Sequence, residues 1–492
     1  ASMCVGLTAC SDFFEPIPGV QFGLDETFAS KQRTEEYLNN VYSYVREVTD
    51  AIHPNTYGGI FTEASLDGAN RWNKTYAEWT NGSFNSASAQ ASEYFSKYYQ
   101  AIAKASTFIQ NVDKCTEAAA STRGKWKSEA RALRAYYYFE LLRLYGPIPL
   151  IGEDPIPLDA SLEELIKERN SVDECVNFIA TELQSAIDSG DLLQRAGKAN
   201  LGRMDVATCM ALKAKLYLYW ASPLFNGNTD QASVKNKDGK QLFPQTEDNS
   251  KWTQARDAYE RFMTFATGQG YKLTEVYTNG KLDPYASCRA AGEFFTTTWE
   301  AVDELIFVKL RDLYDYTYWV CPKFTDFQDT DVTGGGGYYT TQETVDLFFT
   351  KDGLTIEEDP GYDKFEGIPG ANNFTSGRYY DPNNPSRLYF DADKSKVLKQ
   401  WKDREPRFYV NITYSGSIWL NEGKYNEEMR TDFTNGANGT CGKSKASGDC
   451  PDSGYLIRRG AKASNNNGSK HFSPVLRLAD MYLGYAEALC MC

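Results

Sequence analysis

The chain has 492 residues, and its 66 acidic residues outnumber its 52 basic ones to give a net charge of −14. That balance argues against nucleic acid as a partner, because phosphate backbones select basic faces. The only histidines are His53 and His471, so a histidine-rich zinc site or a Ser-His-Asp triad has almost nothing to draw on, and neither metal nor cofactor is expected.

Residues 1–9 read as the remnant of a signal peptide. Leu7-Thr8-Ala9-Cys10 then has the form of a bacterial lipobox. Small residues admit the peptidase, and the Cys10 thiol accepts a diacylglycerol. A chance match in a chain with 11 cysteines is the competing reading; the terminal position favours the lipobox. The mature protein is expected to start at Cys10 and to meet the membrane only through its lipid. No other run approaches the ~18 apolar residues of a membrane span.

Helical periodicity dominates the first half. Tyr37, Val41, Tyr44, Val45 and Val48 share one face, as do Phe95, Tyr98, Ile102, Ala105, Ile109 and Val112. A helix over 127–145 carries Ala130, Leu133, Tyr137, Leu141 and Leu144, and Gly146-Pro147 stops it. Ser171 and Glu174 form a capping box before the stripe Val172, Val176, Ile179, Leu183 and Ile187, with Gly190 at the end. The helix from Asp205 presents Ala207, Ala211, Ala214, Leu218 and Ala221, small enough for close helix approach. Ser250 is expected to cap a further helix bearing Trp252, Ala255, Tyr259 and Phe262. Such pairs, at a repeat of roughly 34 to 45 residues, fit tetratricopeptide-like hairpins.

From about 271 to 470 Gly, Asn, Asp and aromatic residues prevail. Long loops with short strands are expected there, Arg407 to Ile412 being one alternating run. Gly334 to Gly337 reads as a flexible turn or hinge, and Arg477 to Ala488 returns to a helix. One interlocked domain over 10–492 is expected. Its scaffold is about 30–270 plus 471–492, and its loop-rich half is 271–470. The last helix has no cap or polar tail, so the chain reads as truncated at its C-terminus.

Cys115, Cys175, Cys209, Cys288 and Cys321 sit singly among apolar neighbours and read as buried thiols. Cys441 and Cys450 flank a Gly/Ser/Lys loop, so they are either bridged or not in an oxidising compartment. Gly442-Lys443-Ser444 lacks the upstream glycine of a phosphate loop. Asp391 to Ser395 lacks the glycine and glutamate of an EF-hand.

Five segments in order resemble one family. They are Glu129 to Leu141 with Tyr145-Gly146-Pro147-Ile148-Pro149; Gly202-Arg203-Met204 through Ala221-Ser222-Pro223-Leu224-Phe225-Asn226; Thr341 to Phe348; Asp403 to Phe408; and Pro474 to Ala488. Together they are similar to the SusD/RagB family of Bacteroidetes outer-membrane nutrient-binding lipoproteins. The motifs themselves are structural: Tyr136 to Phe139 read as core, and Arg404 and Arg407 as ion-pair or carbonyl partners at helix ends.

The resemblance implies a mainly α fold, an α-α superhelix of tetratricopeptide-like pairs with an irregular ligand-binding half. It implies a protein without enzymatic activity on the outer membrane, lipid-anchored at Cys10 and facing the exterior. Its implied partner is a SusC-type TonB-dependent transporter, to which it passes oligosaccharides or, alternatively, peptides. A secreted glycoside hydrolase and a purely structural scaffold are the competing classes. Candidate ligand contacts are Arg71, Trp72, Asn73, Tyr76 and Trp79, and Tyr314, Tyr316, Tyr318 and Trp319. Aromatic faces stack on sugar C–H surfaces, and Asn or Arg bonds the hydroxyl rim. Packed aromatics are the other reading of both clusters.

Overall fold

The computed structural model describes residues 23–46, 68–70, 82–152, 160–292, 303–311, 320–324, 334–365, 367–419, 429–434, 440–442, 448–461 and 471–492. The fold is mainly α. The chain divides into two compact units. One comprises Ala1–Val45, Phe95–Leu193 and Met204–Lys251; the other comprises Arg46–Tyr94, Gln194–Arg203 and Trp252–Cys492.

The first unit is built from helices α1 (Leu24–Ala29), α2 (Lys31–Tyr42), α3 (Ala89–Asn111, from Phe95 on), α4 (Ala120–Tyr145), α5 (Leu162–Leu165), α6 (Val172–Asp188) and α7 (Val206–Ala221). Their ends follow the local chemistry. Ser171 and Glu174 close the expected capping box on α6, the Glu174 N–H donating to Ser171 Oγ at 3.3 Å and the Ser171 N–H to Glu174 Oε2 at 2.7 Å. Lys240, and then Ser171, hold the Glu174 carboxyl down at about 2. Asp205 caps α7 by accepting the Thr208 N–H at 2.7 Å. Gly146 ends α4 at φ +67, and a Cβ there would sit 3.0 Å from Phe243 Cζ. Both the sign of φ and the ring therefore require glycine.

α4 is buried on almost every side and packs against α2, α6 and α7. Tyr136, Tyr137, Tyr138 and Phe139 are all core, as expected. The Arg134 guanidinium is fully buried, gripping Glu182 through Nε at 2.8 Å and Ser106 through Nη1 at 3.1 Å. Tyr42 ties three segments together. Its hydroxyl donates to Glu129 Oε2 and accepts the Met204 N–H, both at 2.8 Å.

The second unit is mostly irregular. Its short strands are β1 (Ala69–Asn70), β2 (Tyr277–Thr278), β3 (Lys281–Leu282), β4 (Leu305–Arg311), β5 (Tyr338–Tyr339), β6 (Arg378–Asp381), β7 (Asn384–Asp391), β8 (Ile412–Tyr414), β9 (Tyr455–Ile457) and β10 (His471–Arg477). Its helices are α8 (Ser250–Gly268, from Trp252 on), α9 (Pro284–Gly292), α10 (Gln342–Asp346), α11 (Pro406–Asn411) and α12 (Leu478–Cys490). A four-stranded antiparallel sheet runs β1-β5-β9-β8, and β10 pairs with β4, β2 with β3, and β6 with β7. The β2–β3 turn is Asn279-Gly280 with both φ positive, the two-residue hairpin that this dipeptide favours.

Three expectations are corrected here. The run Arg407–Asn411 lies in helix α11, opened by Pro406 at its first turn, and the strand starts only at Ile412. Proline pre-sets the helical φ, and one turn buries Phe408, Tyr409 and Val410 together. Gly334 to Gly337 is buried, not a hinge. A Cβ on Gly336 would meet Asp449 O at 3.0 Å and Lys323 N at 3.2 Å, so glycine serves close backbone approach. Ser250 is the first residue of α8 and not its cap; its N–H donates to Asp248 Oδ1 at 2.9 Å.

Two of the five recognised segments grip each other. Arg404 Nη2 donates to the Val345 and Phe348 carbonyls at the end of α10, at 2.7 and 2.6 Å, and Nη1 to the Tyr362 hydroxyl at 2.7 Å. Arg407 pairs with its neighbour Glu405. At the chain's end, Tyr485 of α12 stacks on Tyr259 of α8 with ring centroids 6.3 Å apart. Gly484 faces the same tyrosine so closely that a Cβ would overlap its ring.

Candidate functional site

A cavity of about 400 Å³ opens in the second unit, within the range of small-ligand clefts. Its local framework begins at Asp283, whose Oδ1 accepts the Ala286 N–H at 2.9 Å and so caps α9 behind Pro284. Asp-Pro is a helix-start signal. The β6–β7 hairpin, turned by Pro382-Asn383, brings Asp381 and Arg387 alongside. Arg387 then forks onto Asp283 at 3.0 and 2.9 Å and also pairs with Asp381. Burial alone would raise the Asp283 carboxyl; the Arg387 fork, the Ala286 amide and Thr278 hold it down at about 2.

Tyrosines form the floor. Tyr389 stacks on Tyr409 at 3.9 Å and 10°, and Tyr285 tilts against Tyr389 at 5.5 Å. The Arg387 guanidinium lies 4.2 Å from the Tyr285 ring centroid, which adds a cation–π contact. Burial pushes the Tyr389, Tyr409 and Tyr414 hydroxyls up from the ordinary phenol value. Arg289, Asn384, Ser386 and Arg458 complete the polar lining. Ser386 is exposed, Asn384 and Arg289 are half-buried and Arg458 is buried, so polar groups run from mouth to floor. The arrangement lines the cavity with buried tyrosine rings and with hydrogen-bonding side chains.

The first unit carries an apolar groove of about 430 Å³. Phe95, Tyr99 and Ile102 of α3 line it with Pro149 and Ile151, and Leu165 and Ile166 are exposed beside it.

The aromatic-polar clusters Arg71, Trp72, Asn73, Tyr76, Trp79 and Tyr314, Tyr316, Tyr318, Trp319 lie outside the described residues, as does Cys10. The first cluster follows β1, where Asn70 pairs with Tyr338. Cys441 and Cys450 are both buried. The Thr440 and Cys441 N–H groups both donate to Asp432 O, at 3.1 and 2.9 Å. Cys115, Cys175, Cys209 and Cys321 are buried as expected, and Cys288 is half-buried. Among the described residues no His/Cys/Asp/Glu group could hold a metal, and no helix is long and apolar enough to cross a membrane.

The tyrosine–arginine cavity was not anticipated from the sequence. Asp283-Pro284 and the Asp381-Pro382-Asn383-Asn384 turn were visible as local signals. Nothing local says that they meet.

Comparison with known proteins bears on the whole chain. Residues 304–492 match the SusD family model. Residues 21–218 match a SusD-like model described as starch-binding, associating with outer membrane. A SusD-like protein of Bacteroides ovatus (strain ATCC 8483) is 27% identical over 175 residues, 34% of this chain and 30% of that protein; the matched stretch is thus under a third of the relative's length. Among solved structures, BT4246 superposes with a TM-score of 0.73 at 24% identity, over 93% of this chain and 78% of that one. A SusD-like carbohydrate binding protein of Bacteroides fragilis NCTC 9343 gives a TM-score of 0.62 at 18% identity, over 94% and 75%. Both likenesses concern the fold.

Proposed function

The chain belongs to the SusD/RagB family, and from that premise we propose that it is an oligosaccharide-binding protein of the outer membrane, without enzymatic activity of its own. The observation that carries this reading is the cavity of the second unit. Tyrosine rings floor it, and arginine, asparagine and serine surround them with hydrogen-bonding groups, a mixed aromatic and polar lining of the kind that suits a sugar ring. The family description of starch binding supports the same ligand class. The clusters at 71–79 and 314–319 are proposed to add further sugar contacts. Cys10 is proposed as the lipid anchor, on the cell exterior, and a SusC-type TonB-dependent transporter as the recipient of the captured ligand. The scaffold and the loop-rich half are proposed to act as one domain.

Calorimetry of the soluble chain from Ser11 on, against a panel of oligosaccharides and peptides, tests the ligand class. Saturable binding of at least one oligosaccharide, with no release of reducing ends on prolonged incubation, is expected. Binding of peptides alone would transfer the role to peptide capture, and release of reducing ends would make the protein a hydrolase. Membrane fractionation of cells expressing the full chain tests the anchor: Cys10→Ala should move the protein from the membrane to the soluble fraction. Co-purification of a TonB-dependent barrel tests the partner, and its absence from gently solubilised membranes would remove that element.

A further inference from the structure

We infer that Arg387 is the specificity-determining residue of the second unit's cavity, donating from one edge of its guanidinium to two adjacent hydroxyl oxygens of a sugar. The inference rests on the oligosaccharide-binding reading and specifies which part of the ligand is read.

The β6–β7 ladder sets up this side chain. Tyr380 pairs with Leu388 and Asp381 with Asn384, so the register shifts between them, and Pro385, Ser386 and Arg387 bulge out of the ladder. Bulges re-aim side chains away from the ordinary alternation of a strand. Here Arg387 lines the cavity beside Asn384 and Ser386 of the same hairpin.

A guanidinium carries five N–H donors in one plane. Three of those on Arg387 are taken by two buried carboxylates. Nη1 and Nη2 fork end-on onto the two oxygens of Asp283, at 3.0 and 2.9 Å, and Nη1 also donates to Asp381. Asp283 is fixed in its turn by the Ala286 N–H at 2.9 Å and the Thr278 hydroxyl at 3.0 Å. The Tyr285 ring covers one face of the guanidinium, its centroid 4.2 Å away.

An end-on fork leaves a definite pair of donors over. They are Nε–H and the second Nη2 N–H, which run parallel along the edge away from Asp381. Among the described residues nothing accepts from either. Neither aspartate lines the cavity, whereas Arg387 does, with 18% of its side chain exposed. The remaining edge is therefore the one open to a ligand.

Selection follows from this geometry. Asp283 and Asp381 already match the Arg387 charge, so the open edge acts as an oriented pair of donors for neutral oxygens. Adjacent hydroxyls on a sugar ring lie close enough together to accept two parallel N–H bonds, and hydroxyls separated by a further ring carbon do not. The clamp sets the guanidinium before the ligand arrives, which lowers the ordering cost of binding. A sugar that lacks one hydroxyl of the pair forfeits one bond to a charged donor, a difference of about ten- to a hundredfold in affinity.

The test is calorimetry of the soluble chain against the methyl glycosides of maltohexaose, cellohexaose and mannohexaose and against their 3-deoxy analogues. Each 1,4-linked unit carries adjacent 2- and 3-hydroxyls, and the 3-deoxy analogues carry no adjacent pair. At least one parent should bind about tenfold or more tightly than its analogue. Arg387→Lys, whose ammonium lacks the fork, should shrink that gap to about threefold or less. Asp381→Asn disturbs the same clamp but leaves the open edge, so the gap should persist even where the melting temperature falls. If Arg387→Lys does not fold, its combination with Asp381→Asn, which sets one cation against one carboxylate, takes its place. Equal affinity for parents and analogues would overturn the inference and leave the oligosaccharide-binding reading standing. A gap that the lysine variant leaves intact would overturn it by assigning the hydroxyl pair to another residue. A gap that Asp381→Asn abolishes as fully would overturn it in favour of cavity shape. Failure of all three parents to bind would overturn the underlying reading itself.

Discussion

The two compact units satisfy their backbones in opposite ways. In the first, long helices bond their own N–H and C=O groups, and side chains are left to join helix to helix. Arg134 meets Glu182 and Ser106 inside the bundle, and Tyr42 links α2 to α4 and to Met204. In the second, short strands and turns leave carbonyls to be met by side chains. Arg404 meets Val345, Phe348 and the Tyr362 hydroxyl, and Asp283 caps α9 while holding Arg387. An irregular unit held by polar side chains can keep a cavity lined with polar groups. A regular helical bundle closes its polar groups inward and leaves an apolar groove.

That contrast gives a graded set of expectations. The largest effect belongs to the first unit. Arg134→Ala leaves the buried Glu182 only Arg131, at 3.6 Å, and should cost about 3 kcal/mol in denaturant unfolding. A loss below about 1 kcal/mol would mean that Arg131 alone suffices to hold the carboxylate. In the second unit, Arg404→Ala should cost about 3 kcal/mol, because buried carbonyls lose a charged donor. Rescue by Arg404→Lys should be partial, since an ammonium lacks the fork.

Gly484→Ala comes next. Helix propensity favours alanine by about 1 kcal/mol. Yet the new methyl would overlap Tyr259, and a net loss of about 1–3 kcal/mol is expected. A gain in melting temperature would show that the α8–α12 contact yields easily.

A smaller effect separates by pH. The Asp283 carboxyl titrates at about 2, below the ordinary value of about 4. Its contribution is therefore complete above about pH 4 and is lost as pH falls through about 2. The melting-temperature gap between wild type and Asp283→Asn should be constant above about pH 5 and close between about pH 4 and 2. A gap that persists at pH 2 would argue against the Arg387 fork as its source. The smallest stability effect is expected for Trp72→Ala and Trp319→Ala, which should weaken oligosaccharide affinity with the melting temperature nearly unchanged. Equal losses of stability and binding would assign both residues to packing.

Legibility in the sequence followed the same divide. The helices of the first unit, the Ser171 cap, the Gly146 stop and the buried Tyr136 to Phe139 were readable because their causes lie within a few residues. In the second unit, local pattern misled: Arg407 to Asn411 alternates like a strand yet forms a turn of helix, since Pro406 starts one and the aromatic core takes all three middle side chains. The glycine run at 334–337 looked flexible because its neighbours across the chain, Lys323 and Asp449, are invisible to a local reading.

What the sequence determined by itself was the mainly α character, several helix caps and stops and, through five ordered segments, the family. Those follow from short-range periodicity, capping chemistry and ordered resemblance. Only the tertiary structure decided the cavity. Its residues come from 285–290, 384–389, 409–418 and 458, and their convergence depends on hairpin register, a helix cap and a tyrosine stack acting together. Charge shows the same limit. The total of −14 describes the chain, whereas a cavity lined by Arg289, Arg387 and Arg458 arises only where folding brings them together.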